Sequence, residues 1–372
     1  MKPLEADVLK TLAEVGEKFR LEGELESYEL ITHGNINTTY CVSYKNPDKR
    51  YIFQKVNTYV FQDPIQIMKN IDLVTEHIRS KKSNAPALHY HHTADRNNYW
   101  FSYDGNFWRV SNNFNALTYQ STTDPKVLYQ AGRGFGGFQK DLSDFDVSLL
   151  HDTIPNFHNT KKRLAGFFET VKKDPFGRVR EVEREIDFIA THREIAEKLS
   201  NLFEEGALPT RVTHNDTKIN NVLFNKETGE PLVVIDLDTV MPGLAAHDFG
   251  DAVRFAANTA VEDEKDLSKV SLDINLYKGF AEGFIEGTAG LLSTAEIETM
   301  ALGGLTLAIE LGMRFLEDYI TGDRYFKTRY EGHNLVRTRC QLTLAADMER
   351  KLDMMNKIVI DTAKKFGKNG II

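Results

Sequence analysis

The sequence predicts an α+β protein in two lobes, an antiparallel sheet with a helix in the first part and mostly helices in the second. Three observations carry this. At 372 residues the chain exceeds what one simple core accommodates. Strand and hairpin signals crowd residues 1–113, where apolar and β-branched runs are broken by turn residues such as Asp104-Gly105. From residue 114 onward the pattern turns helical, which places the boundary near 113 and gives lobes 1–113 and 114–372.

The elements follow in order. Leu4, Val8, Leu12, Val15 and Phe19 recur at helical spacing and open the chain with an amphipathic helix. Residues 25–31, 39–44 and 51–57 read as strands, residues 64–80 as a helix, and residues 99–103 and 106–110 as a hairpin about Asp104-Gly105. Ser111-Asn112-Asn113-Phe114 then joins the lobes. Helices are predicted over 125–140, 160–173 and 180–203, Ser293-x-x-Glu296 is a capping box opening another, and residues 334–366 form one or two more. Gly132, Gly134, Gly136 and Gly137 imitate a phosphate loop, but no lysine-threonine pair follows, so close helix packing is expected instead.

Composition narrows the function. A 41% hydrophobic, 27% charged chain is an ordinary globular protein, and a net charge of −8 excludes a dedicated nucleic-acid binder. Cys41 and Cys340 stand far apart, offering neither a disulfide framework nor a thiolate metal site. No signal peptide is visible, and no run approaches the ~20 apolar residues of a membrane span, so a cytoplasmic enzyme without membrane or nucleic-acid partners is expected. His89, His91, His92 and Asp95 lie together but on no defined ligand face, and solvated histidines are the expectation there. The sequence is silent on oligomeric state.

The chemistry lies in residues 212–255. His214-x-Asp216-x-x-x-x-Asn221 has the spacing of a phosphotransfer loop, in which the Asp takes the proton of the attacking hydroxyl and the Asn holds a magnesium ion. Residues 222–224 and 232–235 then read as a hairpin, and an antiparallel fold about Thr228 brings Asn221 and Asp236 within side-chain reach. Two oxygen ligands with nucleotide phosphates suffice for Mg²⁺. The bland alternative is a solvated loop and a surface hairpin.

These residues resemble the choline-kinase and aminoglycoside-phosphotransferase superfamily, relatives of protein kinases. The similarity extends to His33-Gly34-Asn35-Ile36-Asn37-Thr38-Thr39-Tyr40, Gln54-Lys55-Val56-Asn57, the block at 151–160, Asp236-Leu237-Asp238-Thr239-Val240-Met241-Pro242-Gly243 and Arg314-Phe315-Leu316-Glu317-Asp318-Tyr319, and is closest to the N-acetylhexosamine 1-kinase branch. The resemblance implies a two-lobed protein-kinase-like fold that transfers phosphate from ATP, with Mg²⁺, to a hydroxyl of a small sugar. It implies that the turn at Gly34 and Asn35 covers the phosphates. The phosphate-pairing lysine belongs on strand 51–57, where placing the strand by Ile52 puts Gln54 in its slot while charge favours Lys55; Lys55 is taken, with Glu76 as its acidic partner. Asp238 either binds a second ion or braces the loop, His214 is a brace, and Asp248 and Asp251 are structural, one of them bracing the catalytic loop. For the acceptor, His33 and Arg314 are the chosen contacts among polar candidates that also include His158, Asn159 and Asp318; Arg314 sits in an apolar helix, where an unpaired cation is costly. Rival readings are an amino-alcohol or aminoglycoside kinase and a catalytically inactive kinase-like binding protein.

Overall fold

In a computed structural model, residues 3–32, 36–82 and 85–366 are described. They form two compact units: Met1–Ala116 with Ser148–Thr153 and Ile235–Val240, and Leu117–Val147 with Ile154–Val234 and Met241–Ile372.

The first unit opens with α1 (Pro3–Lys18), followed by β1 (Glu24–Ile31), β2 (Thr38–Lys45) and β3 (Lys49–Val56), then α2 (Pro64–Lys81), β4 (Trp100–Phe101) and β5 (Phe107–Asn112). The antiparallel sheet has the order β1-β2-β3-β5-β4. Strand alternation puts Val42, Tyr44, Tyr51, Phe53, Trp108 and Val110 on one face, where Leu12 and Val15 of α1 and Phe19 just after it cover them. Each such side chain contributes about 1.5–3 kcal/mol by leaving water. Asp63 caps α2 by accepting from the Gln66 amide, with Pro64 in the first turn. The buried Asn70 of α2 donates to the carbonyls of His151 and Val240 and accepts from the His151 amide, which ties both excursions of the chain to this unit.

Two expectations change here. The strand predicted over 99–103 shrinks to two residues, because Ser102 turns into the Asp104-Gly105 loop and its amide bonds the Asn106 carbonyl. Ser111 and Asn112, expected in the joining segment, continue β5 opposite Ile52 and Tyr51.

The second unit contains α3 (Pro125–Asp141), α4 (Thr160–Lys173), α5 (Glu183–Thr191), α6 (Arg193–Glu204), the short strands β6 (Arg211–Thr213), β7 (Val222–Phe224), β8 (Pro231–Val234) and β9 (Met241–Gly243), then α7 (Ala245–Ala256), α8 (Ile274–Thr288), α9 (Thr294–Ile320) and α10 (His333–Phe366). The helix predicted over 180–203 breaks at His192, whose ring stacks on Phe188 at 3.8 Å and whose Nδ1 lies 2.6 Å from the Phe188 carbonyl. The capping box forms as predicted, with Ser293 and Glu296 satisfying each other's amides. By length and composition α9 is long and apolar enough to cross a membrane, yet its apolar stretch is buried within the unit.

The glycine run does serve packing. A Cβ on Gly132 would lie 2.3 Å from the Phe280 carbonyl, and one on Gly283 would lie 1.9 Å from that of Tyr129, so α3 and α8 meet backbone to backbone. That contact fixes α3, whose Phe135 and Phe138 form the wall behind the catalytic loop.

Candidate active site

The loop after β6 is held from behind by two carboxylates of α7. Asp248 accepts the amides of His214 at 3.0 Å and Asn215 at 2.8 Å and the side-chain amide of Gln139 at 2.6 Å. Asp251 accepts the Thr217 amide at 2.9 Å and pairs with Arg254 at 2.6 Å, while the Thr217 hydroxyl donates to the Asp248 carbonyl. Burial pushes the Asp248 carboxyl up; in Asp251 burial acts the same way, but Arg254 and Lys218 outweigh it and hold the carboxyl down. Asn215 takes a left-handed conformation with φ 62°, which asparagine tolerates better than most residues. His214 is fully buried, edge-on to Phe135 and Phe138, with Nδ1 3.3 Å from the Asp216 amide. It is a brace.

This scaffold presents Asp216 at the edge of the loop. Its side chain is 30% exposed, one oxygen 2.7 Å from Lys218 Nζ and the other 3.4 Å from Asn221 Nδ2. Asn221 also donates to the Asp216 carbonyl at 2.8 Å, a bond that does not use its amide oxygen. The Lys218 ammonium loses some of its charge preference to burial, but Asp216 and Asp251 raise its pKa on balance. Lys218 was missed from sequence although it stands two residues past Asp216. The signal was a cation inside a loop already assigned to phosphate chemistry.

β7 and β8 pair with Val222 opposite Val234, so the predicted hairpin forms and its ladder ends beside Asn221. The chain then enters the first unit, where Asp236 has φ 62° and turns into the single helical turn Leu237–Thr239. A left-handed non-glycine residue is costly and marks a position worth a functional hypothesis.

In the first unit a polar row crosses the sheet face opposite α1. Thr39, Gln54 and Arg109 are directly opposed on β2, β3 and β5. Gln54 donates to the Thr39 hydroxyl at 3.2 Å and accepts from Arg109 Nε at 2.9 Å. Arg109, 1% exposed, pairs through Nη1 with Asp238 and lies over the Tyr90 ring at 5.4 Å. The other Asp238 oxygen accepts from Asn37 at 2.9 Å, so both oxygens are engaged, as in the brace reading. Burial works against the Arg109 charge, yet Asp238 raises its pKa well beyond the usual range.

The cation expected on β3 lies on the other face from this row. Lys55 opposes Trp108 and shares the parity of Phe53, which puts it on the α1 face, away from Gln54 and Asp238. Glu76 is engaged by Arg79 at 2.6 Å and His89 at 3.3 Å rather than by Lys55. Arg109 was missed because nothing in its own strand announces chemistry. His33, Gly34 and Asn35 lie outside the described residues. Nearby, His92 pairs with Asp72 at 3.1 Å, and among the described residues no three His, Cys, Asp or Glu side chains gather as a metal site.

Of the acceptor candidates, Asn159 caps α4, accepting from the Lys162 amide. Asp318 is buried and accepts the amides of Arg324, Tyr325 and Phe326 and the side chain of Asn334, so it shapes the loop after α9. His158 bonds Glu310 at 2.9 Å, and Glu310 also accepts from Thr160 at 2.6 Å and lies 3.7 Å from Arg163. Although burial raises the Glu310 carboxyl, His158 and Arg163 outweigh it and hold it at about 2. Arg314, half-buried on α9, stands among three rings, 5.8 Å from Phe157, 5.8 Å from Tyr325 and 5.4 Å from Phe326.

The sequence profile of the phosphotransferase enzyme family matches residues 27–282, which span the first-unit sheet, the catalytic loop and α7. The chain belongs to this family. Solved structures similar to this phosphotransferase include a microcompartment-associated aminopropanol kinase, at 15% identity and TM-score 0.59 over 93% of this chain and 98% of the other. A choline kinase from Cryptosporidium parvum Iowa II is similar at 15% identity and TM-score 0.56 over 95% and 98%. A spectinomycin phosphotransferase in complex with ADP and spectinomycin is similar at 13% identity and TM-score 0.54 over 95% and 98%. At such identities the likeness is one of fold, and it shows the mixed α+β, kinase-like architecture predicted from the sequence. Within the phosphotransferase, the Asp216 carboxylate is suited to orient a hydroxyl and accept its proton, with its negative charge steadied by Lys218 and the Asn221 amide.

Proposed function

We propose that this phosphotransferase is an ATP- and Mg²⁺-dependent kinase acting on the anomeric 1-hydroxyl of an N-acetylhexosamine. The observation that carries the acceptor class is the setting of Arg314 on α9. Asp216 is matched by Lys218, Asp251 by Arg254, and Glu310 by His158 and Arg163, while Arg314 makes no ion pair among the described residues. A cationic amino alcohol or aminoglycoside needs a carboxylate that is not already neutralised, or an open aromatic cage. Here the rings of Phe157, Tyr325 and Phe326 already surround the protein's own guanidinium. A neutral sugar instead offers hydroxyl and acetamido oxygens, which Arg314 binds as a donor without needing a counter-charge. His33 is proposed to complete the acceptor contacts.

Asp216 orients the acceptor hydroxyl and takes its proton as the bond to phosphorus forms in line with the departing ADP. Lys218, 2.7 Å from one Asp216 oxygen, helps to hold that carboxylate in place. The Asn221 amide oxygen and the Asp236 carboxylate are hard oxygen donors of the kind Mg²⁺ prefers, and they are proposed as its ligands. Bound there, the ion would neutralise phosphate charge. The turn at Gly34 and Asn35 is proposed to cover the phosphates, and a cytoplasmic location fits the two free cysteines.

The test is a competition at equal concentrations of N-acetylglucosamine, N-acetylgalactosamine, glucose, choline, an amino propanol and an aminoglycoside, with products read by phosphorus NMR. The expected product is an N-acetylhexosamine 1-phosphate. Preferential phosphorylation of choline, the amino propanol or the aminoglycoside would overturn the acceptor class.

A further inference from the structure

We propose that Arg109 is a positioning residue for nucleotide binding: together with Gln54 it replaces the strand lysine of a kinase sheet and acts through Asp238 on Asn37, which lies just past the segment expected from sequence to cover the phosphates. The proposal rests on the reading of the chain as an ATP-dependent kinase. Two facts separate this row from ordinary core polarity.

The first is the path of the bonds. Thr39, Gln54 and Arg109 stand in register across three strands, and Arg109 passes the row on to Asp238. Asp238 holds Asn37 at 2.9 Å, and Asn37 in turn accepts the Asn57 amide at 2.9 Å. One side of the sheet is thereby tied to Asn37 at the start of β2, and to a carboxylate two residues beyond Asp236. The second is energetic. A buried arginine-carboxylate pair rarely adds net stability, because removing both charges from water offsets their attraction. In this one Arg109 Nη2 is buried without any hydrogen-bond partner, which weakens a purely stabilising role further. What the guanidinium fork achieves is to hold Gln54 and Asp238 at once, a geometry that one ammonium on a flexible stem does not reproduce.

The test uses the full-length protein, with Mg·ADP affinity measured by calorimetry, KM for ATP and for the acceptor, and the unfolding temperature. Asn37→Ala cuts the two outermost bonds, to Asp238 and from the Asn57 amide, and leaves Arg109, Gln54 and Asp238 in place. It is expected to weaken Mg·ADP binding and raise the ATP KM about tenfold, the scale of a lost bond to a charged group, with the acceptor KM and unfolding temperature nearly unchanged. Arg109→Met is expected to raise the ATP KM more and to lower the unfolding temperature. Adding Gln54→Lys to Arg109→Met places an ammonium on the same face opposite position 109 and is expected to recover at least half of the logarithmic loss in ATP KM. Unchanged Mg·ADP affinity in Asn37→Ala, beside a wild type that binds it, would overturn the proposal and leave the kinase reading intact. So would a double variant that regains unfolding temperature without regaining ATP KM. A wild type that does not bind Mg·ADP would overturn both.

Discussion

The loop at 213–218 and the polar row of the sheet each hold charged groups by side-chain bonds, and they do so over very different spans of chain. The loop at 213–218 is gripped by Asp248 and Asp251, 34 residues away or fewer, from one helix that follows almost at once. The row joins Arg109 to Gln54 across 55 residues and to Asp238 across 129. The loop is a local device whose residues stand in fixed spacing, and its parts are interchangeable with difficulty because buried amides depend on each carboxylate. The row is a non-local device, and its cation stands on β5 opposite Gln54 of β3. Moving a charge sideways in a sheet preserves its face and costs only a change of register partner.

The loop should therefore break hard. Asp248→Ala leaves the amides of His214 and Asn215 buried without acceptors, and each costs about 1–3 kcal/mol, so a loss of about 3–5 kcal/mol is expected in denaturant unfolding, with turnover falling in parallel. A variant of near wild-type stability would show that the loop is held by something other than α7.

A slightly smaller effect is expected from acid. Glu310, ordinarily near 4.5, titrates at about 2 in the folded chain, since its partners outweigh burial. The sign is that of a depressed carboxyl: the stabilisation is complete above about pH 4.5 and disappears as pH falls toward 2, amounting to about 3 kcal/mol at neutral pH. His247, lowered to about 3 by burial and by His158, adds a loss that begins as pH falls below 6.5, because only the unfolded chain takes up that proton. Unfolding midpoints measured from pH 7 to pH 2 should fall in that order, and Glu310→Gln should flatten the lower part of the curve.

How far these devices could be read from sequence follows from the same contrast. The hairpin and the loop of His214, Asp216 and Asn221 before it were legible because these residues stand at fixed offsets in the sequence. The helical second unit was legible from its periodicity and from the box at Ser293 and Glu296. The role of Asp248 was only half legible, since its helix could be predicted but the amides it would meet could not. Arg109 was not legible at all. Strand alternation showed that Gln54 and Lys55 face opposite ways, but which of them lies on the face covered by α1 was decided by the packing of Leu12, Val15 and Phe19 against Phe53 and Trp108. Charge pointed to Lys55, and packing reversed the choice.

Two substitutions sharpen the comparison at smaller scale. Arg314→Ala should lower kcat/KM for the sugar ten- to a hundred-fold, corresponding to about 1.5–3 kcal/mol for a bond to a charged group, while leaving the ATP KM nearly unchanged. Lower stability with unchanged kinetics would instead make Arg314 a packing residue of the Phe157, Tyr325 and Phe326 cluster. Lys55→Ala, on the α1 face, should change the ATP KM less than about twofold, since its half-buried side chain lies on the face opposite Gln54 and Arg109. A tenfold rise would return the phosphate cation to β3.

The most direct test of the account is a single variant read in two ways. Asp216→Asn keeps the shape of the side chain beside Lys218 and Asn221 but removes its capacity to take a proton, and general-base removal commonly costs ~10²–10⁴-fold. Turnover and Mg·ADP affinity should be measured on the same preparation. The expected result is turnover reduced at least a hundred-fold with Mg·ADP affinity within about threefold of wild type; turnover near that of wild type would contradict the assignment of Asp216 as the base.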